Sequence, residues 1–374
     1  MNTNIHRKSY CVVIGGLNLD IQAFCYSEYQ PGDSNPGQIH RSPGGVGRNI
    51  AENLLRLGLD VELMTMVGDS SSWDRLISRT EKLGISLAHS PRIKKAPLSV
   101  YLCILGRDGD LVGAVADMRA MEKMQIHQLQ ARKFLLDSAE AIVVDGNIPQ
   151  DCIEWIAMNY GRLEYEDKQH ISCINKGSRD SSASHRPLLI ADPVSTKKAE
   201  KFISSFGKFD LAKPNINEAA KIAGLEQNAS IEAIALSLRE KSLLPKELYI
   251  SQGGQGMSFV DKEIIEHIPL SSSENCPHVI NRSGAGDAAC AALAWISLLE
   301  RRIGKNCKDS PLSISPRDKA KIALSSAIYA SSSNRPVNSH LDQRNLFETT
   351  RICYPETSEL INELINAIQM ENHK

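Results

Sequence analysis

The sequence has few of the features that mark membrane, nucleic-acid-binding or disulfide-stabilised proteins. Its 374 residues carry a net charge of −1 and only 5% aromatic residues. The basic residues are scattered, which argues against a nucleic-acid partner or a membrane surface. The longest apolar run, Ala288 to Leu299, is too short to span a bilayer, and residues 1–8 contain no apolar signal sequence. The nine cysteines form no C-x-x-C pair, which favours free thiols, so we expect a cytoplasmic protein.

What the sequence does contain is a regular alternation of short apolar runs with polar or glycine-containing turns. Each run is followed by a helix or hairpin pattern, which predicts an α/β fold with a mostly parallel sheet. The runs are Tyr10–Ile14, Val61–Val67, Ala141–Val144, Leu188–Ala191, Leu211–Lys213 and Leu248–Ile250. Polar residues follow most of them, so we expect polar side chains to collect at one edge of this sheet.

Four segments fall outside this alternation. The hairpin pattern at 97–118, together with 20–42, predicts a small β-sheet that could cover a site and exclude water. The polar, patternless segments 164–186 and 301–316 are expected to be flexible insertions. We therefore predict one domain over residues 1–374, with a discontinuous lid and two surface insertions.

The most distinctive stretch is Asn281–Asp287, which runs directly into an alanine-rich helix. Glycines at a helix start leave backbone N–H groups unpaired and directed at one point, which forms an anion site. A carboxylate there is consistent with Asp287 taking a proton from a hydroxyl while the N–H groups stabilise a phosphoryl group in transfer. Two alternatives stay open: an ordinary acid in a first helical turn, or a dinucleotide loop of the form G-x-G-x-x-A.

Polar residues near the front of the chain indicate a second half of the same site. Asn18 and Asp20 alternate with apolar residues after the first strand, so both project to one side at its carboxyl end. Gly44, Gly45 and Gly47 precede Asn49 at a helix start, where they allow a ligand to approach the backbone closely. The alternatives are an edge strand with a solvated face and a purely structural glycine turn.

The pair Asn215 and Glu218 stands at the start of another predicted helix. Their i, i+3 spacing places both on one face, where their oxygens could hold the water shell of Mg²⁺. The alternative is a capping box, in which the two residues satisfy each other's backbone N–H groups.

In this order, the motifs resemble those of the PfkB-type, ribokinase-like carbohydrate kinases. The resemblance covers roughly residues 10–336 and is carried by N-x-D at 18–20, G-G-x-x-x-N at 44–49, N-x-x-E at 215–218, glycines at 253–256 and G-A-G-D at 284–287. It implies a three-layer α/β/α sandwich with a small β-sheet lid, Mg²⁺-ATP as phosphoryl donor, and a homodimer formed through the lid.

The resemblance also implies a reaction and a role for each site residue. Segments 33–37, 43–53, 115–118, 192–195 and 213–215 are similar to those of members that transfer the γ-phosphate of ATP to the ribose 5′-hydroxyl of pseudouridine. Asp287 would be the base, with the N–H groups of Gly284, Ala285 and Gly286 as the anion hole. The ribose would be held by Asn18, Asp20, Gly44, Gly45 and Asn49. The candidate contacts to the uracil base are Ser34, Asn35, Asp117, Asn147 and Lys213. ATP would be held by Asn215, Glu218, Ser251, Gly253, Gly254, Gly256 and Asn334, with Asn215 and Glu218 also holding Mg²⁺ through water.

Two positions depart from the family pattern. Ser283 replaces the usual threonine and keeps the hydroxyl group. Asn281 stands where many members have an aspartate associated with a monovalent-cation site, so activation by K⁺ stays open. Other interpretations are a different sugar or nucleoside kinase of the family and a catalytically silent sugar-binding sensor. The presence of Asp287 and an intact anion loop argues against the sensor.

Overall fold

The computed structural model describes residues 10–162, 186–306 and 313–372. Its strands are β1 (Tyr10–Ile14), β2 (Asn18–Cys25), β3 (Gly37–Gly44), β4 (Asp60–Met64), β5 (Val100–Leu105), β6 (Leu111–Asp117), β7 (Ala141–Asp145), β8 (Leu188–Asp192), β9 (Leu211–Ala212), β10 (Glu247–Ser251), β11 (Gly256–Val260) and β12 (Ile265–Pro269). Eight of them form the main sheet in the order β12-β11-β10-β9-β8-β7-β1-β4. All neighbours from β10 to β4 pair in parallel, and β11 and β12 are antiparallel.

Helices cover both faces of this sheet. They are α1 (Val46–Arg56), α2 (Ser71–Glu81), α3 (Ile126–Gln130), α4 (Lys133–Ser138), α5 (Gln150–Tyr160), α6 (Thr196–Ala199), α7 (Ile216–Ala223), α8 (Ile231–Glu240), α9 (Ala285–Asn306), α10 (Pro316–Ser331), α11 (Gln343–Cys353) and α12 (Ser358–Asn372). No helix in the described ranges is long and apolar enough to cross a membrane.

The alternation of side chains along β1 explains the three layers. Cys11 and Val13 point into one core with α1 and α9, while Val12 and Ile14 point into a second core with α5 and α7. All four are fully buried, as expected for a central strand of a parallel sheet. The predicted α/β fold with a mostly parallel central sheet is therefore confirmed.

The remaining four strands form a separate lid sheet in the order β3-β2-β5-β6. It consists of two antiparallel pairs joined by the parallel pair β2–β5. In the first pair, Asn18 lies opposite Gly44 and Cys25 lies opposite Gly37. The ends of β2 and β3 that carry Asn18 and Gly44 therefore meet the main sheet, and the opposite end of the hairpin projects away from it.

Two expectations from the sequence change here. Cys276 and Cys353 form a disulfide, so free thiols were the wrong expectation for this pair. Helix α9 runs to Asn306, six residues into the predicted insertion 301–316, of which 307–312 lie outside the described residues. The predicted insertion 164–186 also lies outside them, apart from Arg186.

Candidate active site

Polar side chains meet at the carboxyl edge of the main sheet. Asp145 ends β7, Asp192 ends β8, and Lys213 directly follows β9; all three are buried. The glycines after β1 complete this edge, and the N–H group of Gly16 donates to Asp145 Oδ2 at 2.8 Å. Because these strands are parallel neighbours, their ends place the side chains side by side.

Asp287 enters this edge from the first turn of α9. Its Oδ2 accepts a hydrogen bond of 2.8 Å from Nδ2 of Asn49, which lies in the first turn of α1. Of the predicted anion hole, the N–H group of Ala285 is paired with the carbonyl oxygen of Arg282 at 3.4 Å, whereas the N–H groups of Gly286 and Asp287 have no acceptor among the residues that the structure describes. Unpaired N–H groups at the start of a 22-residue helix form a site for an anion.

The backbone of the anion loop requires glycine at one position. Gly284 has φ of +80°, and a Cβ atom there would lie 1.9 Å from the carbonyl oxygen of Pro336. The side chain of Asn281 shapes the same loop, because its Oδ1 accepts from the N–H of Ser283 at 2.9 Å. Asn281 also contacts the carbonyl oxygen of Asn334 through Nδ2 at 3.4 Å, which places Asn334 beside this loop.

The environment of Asp287 makes its carboxyl group able to take up a proton near neutral pH. Burial raises its pKa to about 7, with a further contribution from the charge of Asp192. The hydrogen bond from Asn49 and the charge of Lys213 act in the opposite direction. A buried acid with a pKa close to 7 suits a general base that works at neutral pH.

Lys213 supplies a fixed positive charge to this edge. Its Nζ lies 3.3 Å from Asp192 Oδ2, and a Cβ atom at Gly286 would lie 3.2 Å from it. Burial by itself lowers the pKa of Lys213, but the surrounding acids, with Asp192 first, more than offset burial and raise it well above its usual range. The structure therefore places Lys213 at the anion loop, whereas the family resemblance implies a contact to the nucleobase.

Asn215 and Glu218 form a capping box at the start of α7, so the alternative interpretation of this pair is confirmed. Glu218 Oε2 accepts from the N–H of Asn215 at 2.9 Å, and the N–H of Glu218 donates to Asn215 Oδ1 at 2.9 Å. Glu218 is 3% exposed, and burial raises its pKa to about 7, with the charge of Lys213 opposing the shift. The cap does not exclude a role at the site, because each carboxylate oxygen keeps further lone pairs.

This arrangement fits Mg²⁺ only through water. In residues 10–162, 186–306 and 313–372, no group of three or more acidic, histidine or cysteine side chains could hold a metal ion. Mg²⁺ in phosphoryl-transfer sites keeps several waters and uses one or two carboxylates together with substrate phosphates. Glu218 can supply such a carboxylate beside the anion loop.

The predicted nucleotide-binding glycines lie next to this pair. Ser251 forms a β-bridge with Asn215, and its N–H donates to the carbonyl oxygen of Pro214 at 2.9 Å. Cβ atoms at Gly253 and Gly254 would meet nothing within 4 Å, so their surface is open to a ligand. Gly256 starts β11 with φ of +110°.

The predicted sugar-binding residues lie on the other side of Asp287. Asn18 Nδ2 donates to Asp20 Oδ1 at 2.5 Å, and burial raises the pKa of Asp20 to about 6. A Cβ atom at Gly44 would lie 2.1 Å from the Asp20 carboxylate, and one at Gly45 would lie 2.4 Å from the carbonyl oxygen of Gly16. The missing side chain at Gly44 leaves room for the Asp20 carboxylate within the lid, and the missing side chain at Gly45 lets the lid approach the end of β1.

Two of the predicted base contacts are not brought to this site. Ser34 and Asn35 lie in the turn beyond Gly37, which is seven residues along β3 from Gly44. At about 3.3 Å per residue, that separation is roughly 23 Å, longer than a nucleoside. Asn35 is instead used within its turn, where its Oδ1 accepts from the N–H of Gln30 at 2.8 Å.

The two remaining candidates for a contact to the uracil base, Asp117 and Asn147, differ in how free their side chains are to bind it. Asp117 ends β6 and, through Val100, is in register with the end of β2 that carries Asn18 and Asp20. It forms an ion pair with Arg119 at 2.6 Å, and the hydrogen bond from Arg119 lowers the pKa of Asp117. Asn147 is buried, and both ends of its amide are occupied: Nδ2 donates to Asp145 at 3.0 Å, and Oδ1 accepts from Lys198 at 2.6 Å.

Sequence reasoning did not assign roles to Asp145, Asp192, Arg48 and Lys198, which also lie in this network. Asp145 and Asp192 each end an apolar run, and that position is a signal for the carboxyl edge of a parallel sheet. Burial raises the pKa of Asp145, which accepts three hydrogen bonds from Gly16 and Asn147. The involvement of Lys198 follows only from the folded structure.

Comparison with known proteins identifies the family. The family model described as pfkB family carbohydrate kinase matches residues 8–309. The chain is 28% identical over 335 residues to pseudouridine kinase of Escherichia coli strain K12. This alignment covers 87% of this chain and 97% of the relative.

Solved structures show the same fold at lower identity. Ribokinase of Arabidopsis thaliana, complexed with ribose and ATP, superposes with a TM-score of 0.66 at 16% identity and covers 92% of this chain and 99% of its own. The nucleoside kinase of Burkholderia thailandensis, in complex with inosine, gives a TM-score of 0.63 at 15% identity, with 92% and 97% covered. The chain belongs to the pfkB family of carbohydrate kinases.

Proposed function

We propose that this protein transfers the γ-phosphate of ATP to the ribose 5′-hydroxyl of pseudouridine. The observation that carries the proposal is the hydrogen bond between Asn49 and Asp287, which joins the glycine turn for the sugar to the anion loop. A hydroxyl group bound beside Asn49 is then adjacent to a buried base and to unpaired N–H groups. These are the parts that phosphoryl transfer to an alcohol requires.

In the proposed reaction, Asp287 accepts the proton of the attacking 5′-hydroxyl. The N–H groups of Gly286 and Asp287 and the ammonium group of Lys213 stabilise negative charge on the phosphoryl group in transfer. Mg²⁺, held through water by Glu218 and Asn215, would neutralise charge on the phosphates of ATP. Burial of the acids and of Lys213 keeps this charge stabilisation strong, because little water screens it.

The ribose would be held from the lid side. Asp20 and Asn18 share one hydrogen bond, and both can pair with hydroxyl groups of the sugar. Gly44 and Gly45 carry no side chains, so the ring would approach their backbone beside Asp20. Ser251, Gly253, Gly254 and Gly256 would line the nucleotide on the opposite side, with Asn334 beside the anion loop.

Pseudouridine is proposed over other acceptors because a curated relative that this chain covers over 97% of its length is a pseudouridine kinase. Of the predicted base contacts, Asp117 lies at the lid end nearest Asp20, and we propose it as the contact to the uracil ring. The C-glycosidic base of pseudouridine carries two ring N–H donors, which a carboxylate can accept.

We further propose a homodimer formed through the lid. Ile39, Leu102 and Val115 project from one face of the lid sheet and are 54%, 38% and 68% exposed. An apolar sheet face of this kind is typical of a protein–protein contact. Because an ATP-dependent kinase draws on the ATP pool of the cytoplasm, we propose that compartment as its location.

The experiment that tests the activity is an ADP-release assay with Mg-ATP and a panel of pseudouridine, uridine, ribose, adenosine and fructose. Turnover with pseudouridine well above uridine would support the proposal in full. Turnover with another acceptor would retain the kinase chemistry and refute the choice of base. If none of them is phosphorylated, the proposed function is wrong.

A further inference from the structure

Arg48 lies in the glycine turn but is not available to a ligand. Arg48 is 6% exposed, and its Nη2 forms an ion pair with Glu52, which lies one helical turn further along α1. Its backbone N–H donates to the carbonyl oxygen of Gly16 at 3.0 Å, which ties the start of α1 to the end of β1. A basic residue in a glycine-rich loop often binds an anion, but this guanidinium group is directed into the protein.

The other end of the guanidinium group meets the amide of Asn49. Arg48 Nη1 donates to Asn49 Oδ1 at 3.0 Å, while Asn49 Nδ2 donates to Asp287 Oδ2 at 2.8 Å. An arginine has no acceptor atom, so only the oxygen of the amide can face it. The nitrogen of the amide must then face Asp287.

The opposite orientation of the amide would place two acceptors against each other. Oδ1 of Asn49 would face the carboxylate of Asp287, which is tolerable only when Asp287 is protonated. A protonated Asp287 cannot accept the proton of an attacking hydroxyl group. The orientation of this one amide therefore affects how readily Asp287 is ionised, in addition to burial and the charge of Asp192.

Arg48 is itself held in place. Glu52 also pairs with Arg56 at 2.6 Å, and Arg56 Nη1 donates to the carbonyl oxygen of Ser339 at 2.6 Å. The chain Arg48–Glu52–Arg56 runs along one side of α1, and Glu52 is 4% exposed. These contacts hold the guanidinium group of Arg48 from the side of Glu52, while its Nη1 faces Asn49.

We propose that Arg48 is a positioning residue for phosphoryl transfer: it holds the amide of Asn49 in the orientation that donates a hydrogen bond to Asp287. This inference rests on the proposed function and assigns to that site a residue that touches neither substrate nor the reacting atoms. Arg48 acts through Asn49, because no hydrogen bond within the described residues links Arg48 directly to Asp287.

Other charged groups also act on Asp287 and have to be separated from this effect. Asp145 and Asp192 face it from β7 and β8, Lys213 faces it from the end of β9, and Cys290 lies on its own helix. The charge of Arg48 also reaches Asp287 without contact. Loss of Arg48 would therefore raise the pKa of Asp287 by either route, and only the route through Asn49 needs the amide.

The test compares Arg48→Met, Arg56→Met and Asn49→Ala with the combination of Arg48→Met and Asn49→Ala. Each is also made with Asp287→Asn, and the melting temperature of each pair is measured between pH 4 and pH 9. A pKa raised above its unfolded value makes the ionised Asp287 destabilising, so the melting-temperature difference within a pair grows with pH and levels off above that pKa. Arg56→Met is the matched control, because it removes a partner of Glu52 and leaves Asn49 untouched.

For the wild type, levelling off is expected near pH 7. In the Arg48→Met pair, the difference is expected to level off about one pH unit higher, because the loss of one hydrogen bond to the carboxylate raises its pKa by about that much. Arg56→Met should lower the melting temperature without moving that point. Adding Arg48→Met to Asn49→Ala should move it no further, because the amide is already absent.

Three results would overturn the proposal. The pH at which the melting-temperature difference levels off could stay unchanged in Arg48→Met, or it could rise equally in Arg56→Met. It could also rise by a further full unit when Arg48→Met is added to Asn49→Ala. The third result would assign the effect to the charge of Arg48 alone. Arg48→Gln offers a second route if the methionine variant does not fold, since its neutral amide can accept as well as donate. The melting measurement needs no turnover, so a failure of the proposed kinase activity is recognised separately in the ADP-release assay.

Discussion

Asn49 and Asp287 are 238 residues apart in the sequence and share a hydrogen bond of 2.8 Å. Each residue lies in the first turn of a helix that follows a glycine-rich segment, α1 and α9 respectively. The bond brings together the end of the chain that approaches the lid and the end that forms the anion loop. A sugar hydroxyl and a phosphoryl group can therefore meet at a single carboxylate.

Asp287→Asn is expected to lower kcat by about 10³-fold and to change nucleoside affinity by less than about threefold, since a general base acts mainly in the transition state. Steady-state kinetics measures kcat, and isothermal titration calorimetry measures the affinity for the nucleoside. Asp318→Asn is the matched control, because Asp318 stands in the same first-turn position of α10. If both variants behaved alike, Asp287 would be an ordinary acid at a helix start.

The pH dependence of kcat/KM reports the ionisation of free Asp287. Because burial raises its pKa to about 7, we expect kcat/KM to rise roughly tenfold per pH unit below that value and to become constant above it. The ionised carboxylate is the active form, so activity is lost on acidification. A profile that is flat between pH 5 and pH 8 would contradict this assignment.

The raised pKa of Asp287 also predicts how this residue affects the stability of the fold. A difference of about three between the unfolded and folded values corresponds to roughly 4 kcal/mol, which the ionised side chain costs the folded state above pH 7. Asp287→Asn should therefore melt at a higher temperature than the wild type at pH 8. The gain should largely disappear at pH 4, where Asp287 is protonated in the folded protein, and calorimetry at both values checks this sign.

The sequence predicted the sheet and the main parts of this site because both depend on local patterns. Apolar runs that end in Asp145 and Asp192 indicate parallel strands, and glycines before Asn49 and Asp287 indicate open helix starts. The bond between Asn49 and Asp287 could not be predicted in this way, since it depends on how two distant helices approach one sheet edge. The fold could therefore be predicted from local sequence patterns, whereas the geometry of the site depends on tertiary packing.

Register and burial explain where sequence reasoning fell short. The family resemblance implies that Ser34 and Asn35 contact the uracil base, but pairing of Cys25 with Gly37 puts their turn at the far end of the lid. The spacing of Arg48, Glu52 and Arg56 at i, i+4 is typical of an exposed ion-pair series on a helix. Packing of α1 against α9 instead buries the first two, and no local pattern shows this.

Gly284→Ala tests the backbone of the anion loop. The left-handed φ of +80° and the carbonyl oxygen of Pro336 at 1.9 Å from the new Cβ should destabilise the protein by about 2 kcal/mol or more. The KM for ATP should rise at the same time, because the loop must move. Gly304→Ala, in the exposed part of α9 with nothing within 4 Å, should instead stabilise by about 0.5–1 kcal/mol and leave the KM unchanged. Denaturant unfolding and initial rates distinguish the two.

Val115→Glu tests the proposed dimer. Val115 is 68% exposed on edge strand β6, and its side chain lies on the same face of the lid as Leu102, which is directly opposite it in the register. A carboxylate on each copy of an apolar interface would be desolvated beside a like charge, so the dimer should dissociate. Light scattering coupled to gel filtration is expected to show a mass near 82 kDa for the wild type, about twice the 41.2 kDa of one chain, and near 41 kDa for the variant. Leu236→Glu, at a residue that is 56% exposed on α8, is the matched control and should remain dimeric. A wild type that is already monomeric, or a variant that stays dimeric, would show that the lid face is not the interface.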